Sequence, residues 1–430
     1  MRHDRRQIGI AGAGIGGLTA ALALNAIGYK VRVMEARHAL PMEGAGIQIS
    51  PNAFHVLANL ADDKIKSPAS LGSLLQSVGF APDRIDLHDG ASATPLTQFT
   101  LGDTFRERYG APYLVLGRSD LASLLMNACE ARGGIDIQFG ASVVEAAQHS
   151  RGVTAMVERR DAGGTIRVEE SPFFALIGAD GVRSRVANLV PGAQPATFTG
   201  HIAWRGLVAM EDFPAALPRD ATGLWQMPGA HIVHYPVYQG RTANVIIVTP
   251  WEGRDGGLAD LKDDATVAKA GWLSRKETKI PTEVRAVLAQ KSLTAPLISL
   301  LDSEGTWGGW PLYAHRRLGT VQYGSIGLIG DAAHAMVPYA AQGGVSAIED
   351  AAVLAKCFSQ TPDDAPEALA AYAKQRRPRV SRVMALSQSN RKIYHLSGPM
   401  RFARNTVMKL TPPALLERRM DWLYRWRVDA

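Results

Sequence analysis

Gln7-Ile8-Gly9-Ile10-Ala11-Gly12-Ala13-Gly14-Ile15-Gly16-Gly17 and, one helix length later, Lys30-Val31-Arg32-Val33-Met34-Glu35 decide the fold of this 430-residue chain. Gln7–Ala11 is short and apolar, as a buried parallel strand requires. Ile15, Leu18, Ala21, Leu22 and Ala26 then recur at helical spacing, and Gly28 stands where a helix stops. Lys30–Met34 reads as a second strand ending at Glu35. Strand, glycine turn, helix, strand and terminal acid together are the signature of a dinucleotide-binding unit. Gly12 serves the tight turn, Gly14 lets a pyrophosphate approach the backbone, and Gly17 lets the helix pack closely on the sheet. The helix N-terminus favours phosphate charge. Glu35, 18 residues beyond Gly17, is placed to accept a hydrogen bond from a ribose hydroxyl.

Two further strand-to-loop transitions follow. Phe173–Ile177 is an apolar run entering Gly178-Ala179-Asp180-Gly181-Val182-Arg183-Ser184, and Ile326–Ile329 enters Gly330-Asp331-Ala332-Ala333-His334. After the second, Gln342-Gly343-Gly344 opens a long apolar-periodic helix that runs to about Lys356. Between the two loops, Ile202–Val208, His231–Val237 and Asn244–Thr249 alternate, the pattern of an antiparallel sheet. That sheet interrupts the nucleotide unit, so the expected fold is α/β. It comprises a Rossmann-like unit (1–72, 104–187 and 293–375) interleaved with an antiparallel-sheet substrate unit (73–103 and 188–292). A C-terminal helical tail (376–430) completes it.

Composition narrows the function classes. Apolar residues make up 46% and charged residues 20% of the chain, which argues against disorder, collagen and coiled coil. No stretch has the roughly 18 consecutive apolar residues of a membrane span. Cys129 and Cys357, the only two cysteines, exclude a disulfide framework and a cysteine metal site, and fit a reducing cytosol. The net charge is +7, but the segment from Lys374 onward carries +11, so the body is slightly acidic. This is not the even basicity of a nucleic-acid binder. Arg2, Arg5 and Arg6 before the apolar stretch Ile8–Leu24 imitate a signal peptide, yet five closely spaced glycines and alanines suit a turn better. The expected location is cytoplasmic.

Together these motifs resemble the single-component FAD-dependent aromatic hydroxylases, the p-hydroxybenzoate hydroxylase-like family with its salicylate, hydroxybenzoate and hydroxynicotinate members. The resemblance also covers Gly44-Ala45-Gly46-Ile47-Gln48-Ile49-Ser50-Pro51-Asn52, the Gly-Arg-Ser-Asp-Leu run at 117–121, and Ala203-Trp204-Arg205-Gly206. It implies FAD cradled by Gly12, Gly14 and Gly17, with Glu35 and Ala36 at the adenosine ribose. Gln48, Arg118 and Val143 match cofactor-lining positions, Asp331 matches the acid that bonds the ribityl chain, and Asp180 lies in a loop that serves both FAD and NAD(P)H. Gln342, Gly343, Gly344 and Val345 would turn backbone N–H groups toward the flavin pyrimidine edge, where a helix N-terminus stabilises the anionic reduced ring. Two departures concern fine positioning and nicotinamide preference: Ala187 stands where the family commonly has Arg, with Arg183 and Arg185 nearby, and Gly117 where close relatives often have His.

The implied cycle consumes NADH or NADPH and O2, and transfers oxygen from a flavin hydroperoxide to an aromatic ring. The protein must exclude water, orient the ring and favour its phenolate. Phenols ionise near pH 10 in water, so a nearby base or cation is needed. On the strand His231-Ile232-Val233-His234-Tyr235, alternation places His231 and Tyr235 on one face, roughly 13 Å apart, enough to flank a ring. Family members carry a His and a Tyr at this spacing, so His231 is the expected base or anion anchor and Tyr235 the hydrogen-bond donor. Tyr339, after Pro338, and Gln48 replace histidines of the hydroxynicotinate subgroup, which argues against hydroxynicotinate. His334 is expected to support its loop. No metal, nucleic-acid partner or stable membrane insertion is expected, and the chain would be a monomer or homodimer. The expected substrate is a small phenolic acid, salicylate- or hydroxybenzoate-like. The alternatives are a quinone-pathway hydroxylase of the same fold and a non-hydroxylating FAD-binding redox sensor.

Overall fold

The computed structural model describes residues 6–40, 45–60, 70–161, 163–251, 278–291 and 293–428; Arg2, Arg5, Gly44 and the stretch 252–277 of the expected sheet unit lie outside them. Gln7–Ala11 sits within a six-stranded sheet ordered Gln322–Tyr323, Ile326–Leu328, Ala175–Gly178, Gln7–Ala11, Lys30–Glu35, Ile135–Phe139. Every pairing is parallel except that of Gln322–Tyr323 with its neighbour. The first helix, Ile15–Ala26, is buried on every side from Gly17 to Leu24. The sheet covers one side of it, and the helices Arg118–Glu130 and Gly343–Gln360 cover the other. Truncating one of its fully buried leucines, such as Leu18 or Leu22, would cost about 2–5 kcal/mol.

The apolar run at 173–177 divides at Phe174. Phe173 ends the strand Ile166–Phe173 of a three-stranded antiparallel sheet with Gly152–Arg160 and Ala141–His149, whereas Ala175 begins a strand of the parallel sheet. Both halves are buried, so hydrophobicity alone could not mark the break.

The second unit is a seven-stranded sheet ordered Thr306–Ala314, Thr197–Ala209, Thr242–Pro250, Ala230–Val237, Thr222–Met227, Arg84–Asp89, Pro95–Thr100. It is antiparallel apart from the pairing of Thr222–Met227 with Arg84–Asp89. The helix Ala365–Tyr394 runs through Pro378, tolerating the lost N–H bond, so residue 376 falls inside it. Beyond it, Gly398–Leu410 docks on the sheet through Asp89, which is fully buried and accepts hydrogen bonds from Arg401, Arg404 and, at 2.8 Å, Asn405 Nδ2. The tail then packs on its own chain: Arg382 lies 3.9 Å from the ring centre of Trp422, and Arg379 lies 5.1 Å from that of Trp426.

Candidate active site

Both sheets line one cavity of about 930 Å³. Its nucleotide end is built at the C-terminal edge of the parallel strands, where Gly12, Gly14, Glu35 and Ala36 face it. Gly12 adopts φ +101°, and a Cβ there would lie 2.5 Å from Ala179 O; a Cβ on Gly17 would lie 1.9 Å from Gly12 O. These two glycines answer to the protein's own backbone. Gly14 is different: a Cβ there would meet no protein atom within 4 Å, because the position opens onto the cavity. The Glu35 carboxylate accepts hydrogen bonds from Ala13 N at 2.8 Å and Arg37 N at 3.0 Å, which fixes it while each oxygen retains lone-pair capacity for a ligand hydroxyl.

The other expected cofactor residues separate into two groups. Gln48, Arg118, Val143, Asp180, Asp331, Gly343 and Gly344 line the cavity. Asp331 is exposed to it and makes no hydrogen bond among the described residues, so its carboxylate is available to a ligand. Gln48 Oε1 accepts from Tyr113 OH, which leaves its amide group free to turn inward. Asp180, by contrast, spends its carboxylate on its own loop, accepting from Ser184 Oγ at 2.5 Å, Arg185 N at 2.7 Å and Val186 N at 3.2 Å. It reaches the cavity as a turn residue. Gln342 and Val345 do not line it. Val345 is in the core, and Gln342 is buried, donating to Ser50 Oγ at 3.1 Å and accepting from Asn52 Nδ2 at 3.3 Å. The Gly343–Gln360 helix therefore meets the cavity through the backbone of its first two residues, whose N–H groups have no intrahelical partner.

A buried ionic network holds that helix start in place. Glu349 accepts from Asn52 Nδ2 at 2.6 Å, Arg376 Nη1 at 2.8 Å and Arg379 Nη2 at 2.6 Å. Asp350 accepts from Arg376 Nε at 2.6 Å and Gly330 N at 2.9 Å, and pairs with His334 Nε2 at 2.6 Å. Burial favours the neutral acid at Asp350, but neighbouring His334 and Arg376 outweigh it and hold the carboxyl below its ordinary range. The expectation that His334 supports its loop holds: the bond locks the Gly330-Asp331 turn to the long helix.

At the opposite end, strand register assembles a floor. Arg205 faces Ile246, Ile246 faces Val233, Val233 faces Leu224 and Leu224 faces Leu87, a row across five strands whose members all line the cavity. His231 and Tyr235 flank Val233 on the same strand and also line the cavity, both buried. Pro338 and Tyr339 line it from the other side, and the Tyr339 ring centre is 4.9 Å from that of His231. The Tyr339 hydroxyl is buried without a hydrogen-bond partner among the described residues, so a ligand atom could satisfy it. Burial raises the Tyr235 and Tyr339 hydroxyls above their usual range, which keeps both as donors, and burial then the neighbouring His395 and His201 push His231 well below its own, which keeps it neutral. A neutral imidazole accepts a proton; it does not anchor an anion by charge.

Sequence reasoning missed Arg205 as a site residue. Its signal was a lone charge in the apolar stretch Ile202–Val208. Its guanidinium is lowered to about 10 by burial, then by Arg118, and so is still cationic at neutral pH; it has no ion-pair partner among the described residues. The closing wall was missed too: Asn390 and Tyr394 of the long C-terminal helix, with Met408, Met420 and Tyr424 beyond it. At Gly117 a Cβ would lie 2.7 Å from Tyr238 Cε1, so the absence of His there follows from local packing.

The architecture matches known proteins over nearly its full length. The family model described as FAD binding domain matches residues 5–387. A 3-hydroxybenzoate 6-hydroxylase from Polaromonas naphthalenivorans is 30% identical over 97% of this chain and 96% of the relative. A 3-hydroxybenzoate 6-hydroxylase from Aquipseudomonas alcaligenes is 31% identical over 96% of each. Among solved structures, Klebsiella pneumoniae HpxO, crystallised with FAD and uric acid, shares the fold at TM-score 0.76 and 24% identity, covering 97% of this chain and 96% of that one. The chain belongs to the FAD-binding-domain family, within its flavin-dependent aromatic hydroxylases.

Proposed function

We propose that this protein hydroxylates a small phenolic acid of the hydroxybenzoate or salicylate class, using NADH or NADPH and O2. The observation that carries the reading is the floor Leu87–Leu224–Val233–Ile246, flanked by His231 and Tyr235 and ended by Arg205. A flat apolar bed suits an aromatic ring, the base and donor suit its phenol, and a guanidinium that stacks on Trp310 but has no ion-pair partner among the described residues suits a carboxylate. The residues fit FAD: Gly14 opens onto the cavity, Asp331 has a free carboxylate, and Gly343 and Gly344 present helix-start amides. Gly12, Gly14, Glu35, Ala36, Gln48, Arg118, Val143, Asp331, Gly343 and Gly344 would hold it. Asp180 acts through its loop, and Gly17, Gln342 and Val345 act through packing. When bound, FAD supplies the redox chemistry that takes electrons from the nicotinamide and delivers one oxygen atom of O2 to the ring.

The chain's own residues do the rest. His231 accepts the phenolic proton, Tyr235 and Tyr339 donate hydrogen bonds that orient the ring, and Arg205 fixes its acid group. Pro338, Tyr394 and Met408 close the apolar walls that exclude water. Among the described residues no helix is long and apolar enough to cross a membrane. A cytoplasmic location is supported by two buried, unpaired cysteines, and a monomer or homodimer remains the proposed assembly. The sheet registers support one revision of the domain division: Thr306–Ala314 pairs with Thr197–Ala209 and goes with the substrate unit. The test is a panel of 3-hydroxybenzoate, salicylate and related acids, scored by stimulated NAD(P)H oxidation with product analysis. Stimulation and ring hydroxylation by at least one phenolic acid is the expected result; oxidation indifferent to every one of them overturns the reading.

A further inference from the structure

The buried side of His231 leads out of the cavity. Its Nδ1 lies 3.0 Å from Nε2 of His395, the residue that ends the long C-terminal helix. His395 is half-buried, and its ring stacks on His201, with centres 5.5 Å apart. Two imidazole nitrogens at hydrogen-bonding distance share one proton, so one ring donates and the other accepts. Because Nδ1 of His231 is engaged, Nε2 is the nitrogen left for the cavity. The tail thus brings a partly solvated imidazole into line behind the proposed base.

We infer that His395 is a positioning residue for the reaction: the second member of a two-imidazole relay that carries the phenolic proton of the substrate from His231 to solvent. This rests on the proposed phenolic substrate. In the forward direction the phenol O–H bond breaks and a bond forms from the proton to His231 Nε2. The proton on His231 Nδ1 passes to His395 Nε2, and the proton on His395 Nδ1 leaves to water. Both rings start and finish neutral, so the phenolate is the only charge the transfer leaves in the buried site. Run backwards, the same path returns a proton to the product oxygen and restores both tautomers.

The surroundings favour a neutral relay over a trapped cation. Facing the pair are His201 on the sheet, Tyr339 after Pro338, Tyr394 and Arg391 on the C-terminal helix, and Lys291. Burial first, then His201, Arg391 and Lys291, pushes His395 down to about 3. Arg391 Nη2 sits 3.2 Å from His201 Nδ1 and donates to Thr199 O at 3.2 Å, so its charge is held beside His201.

The experiment follows phenolate formation in the FAD-loaded enzyme after mixing with 3-hydroxybenzoate. It reads the ultraviolet phenolate band, and a pH indicator in weak buffer for proton release, in the absence of NAD(P)H. His395→Ala and His395→Gln should each slow both signals at least about a hundredfold, the low end for loss of a proton-transfer group, while FAD content stays at the wild-type level. Added imidazole should restore the Ala variant and leave the Gln variant slow. Unchanged rates in both variants, or slowing that imidazole does not relieve, would overturn the relay while leaving the hydroxylase reading intact. A wild-type enzyme that forms no phenolate and hydroxylates no phenolic acid would overturn both.

Discussion

Gly14→Val separates cofactor binding from folding. Gly14 has φ −74° and ψ 178°, an extended conformation that a β-branched residue adopts readily, and no protein atom lies within 4 Å of its Cβ position. The fold therefore loses only the preference for glycine over valine at a helix N-cap, about 1 kcal/mol. The ligand loses far more, because the isopropyl group fills the approach to the first-turn amides. Losing two charge-assisted hydrogen bonds at about 1.5–3 kcal/mol each weakens FAD by roughly 10²- to 10⁴-fold. The assay is FAD titration of apoprotein, with the thermal midpoint measured with and without FAD. FAD at about 100 times its wild-type Kd adds about 2.7 kcal/mol to the wild type and should add almost nothing to the variant. Gly17→Ala is the contrast: its Cβ would sit 1.9 Å from Gly12 O, so the apoprotein itself should lose stability. A Gly14→Val protein that binds FAD as wild type does would refute the cradle.

Other outcomes follow from the same geometry. Asp331→Ala should weaken FAD by about 1.5–3 kcal/mol, one charge-assisted hydrogen bond, seen in the same titration; unchanged affinity makes it a turn residue only. His231→Ala and Tyr235→Phe should keep FAD and its visible spectrum, weaken substrate about ten- to a hundredfold, and raise the peroxide released per NAD(P)H consumed. Asp350→Asn, which breaks a buried network, should cost about 3–5 kcal/mol, read as a lower urea midpoint. Because the native Asp350 carboxyl lies below its ordinary range, its stabilisation is complete above about pH 4 and is lost as pH falls toward the native value. The gap between wild type and Asp350→Asn should therefore be constant from pH 5 to 7 and narrow below 4.

Local signals carried the sequence reading as far as single elements extend. The strand-turn-helix at 7–26 and the alternation that pairs His231 with Tyr235 are set by residues within one element, so their pattern is visible without tertiary contacts. Arg205 was not visible as a site residue because its neighbours Ile246, Val233 and Leu224 come from three other strands whose register no local pattern states. Gln342 looked like a flavin contact from its place before two glycines, yet Ser50 and Asn52, nearly 300 residues earlier, turn its side chain inward. His395 and the Met408–Tyr424 wall were hidden for the same reason: a basic tail reads as a solvated face until Asp89, Glu349 and the tryptophans are brought to it.

Oxygen-18 labelling distinguishes hydroxylation of the ring from mere oxidation of the nicotinamide. Wild-type enzyme, NADH or NADPH and 3-hydroxybenzoate or salicylate are incubated under labelled O2, and the aromatic product is weighed by mass spectrometry against the nicotinamide oxidised. One labelled oxygen should appear on the ring of a phenolic acid, with product approaching one per nicotinamide, and that ratio should be lost to peroxide in His231→Ala. Nicotinamide oxidised to peroxide in the wild type, with no labelled ring product from any hydroxybenzoate, would contradict the proposed hydroxylation.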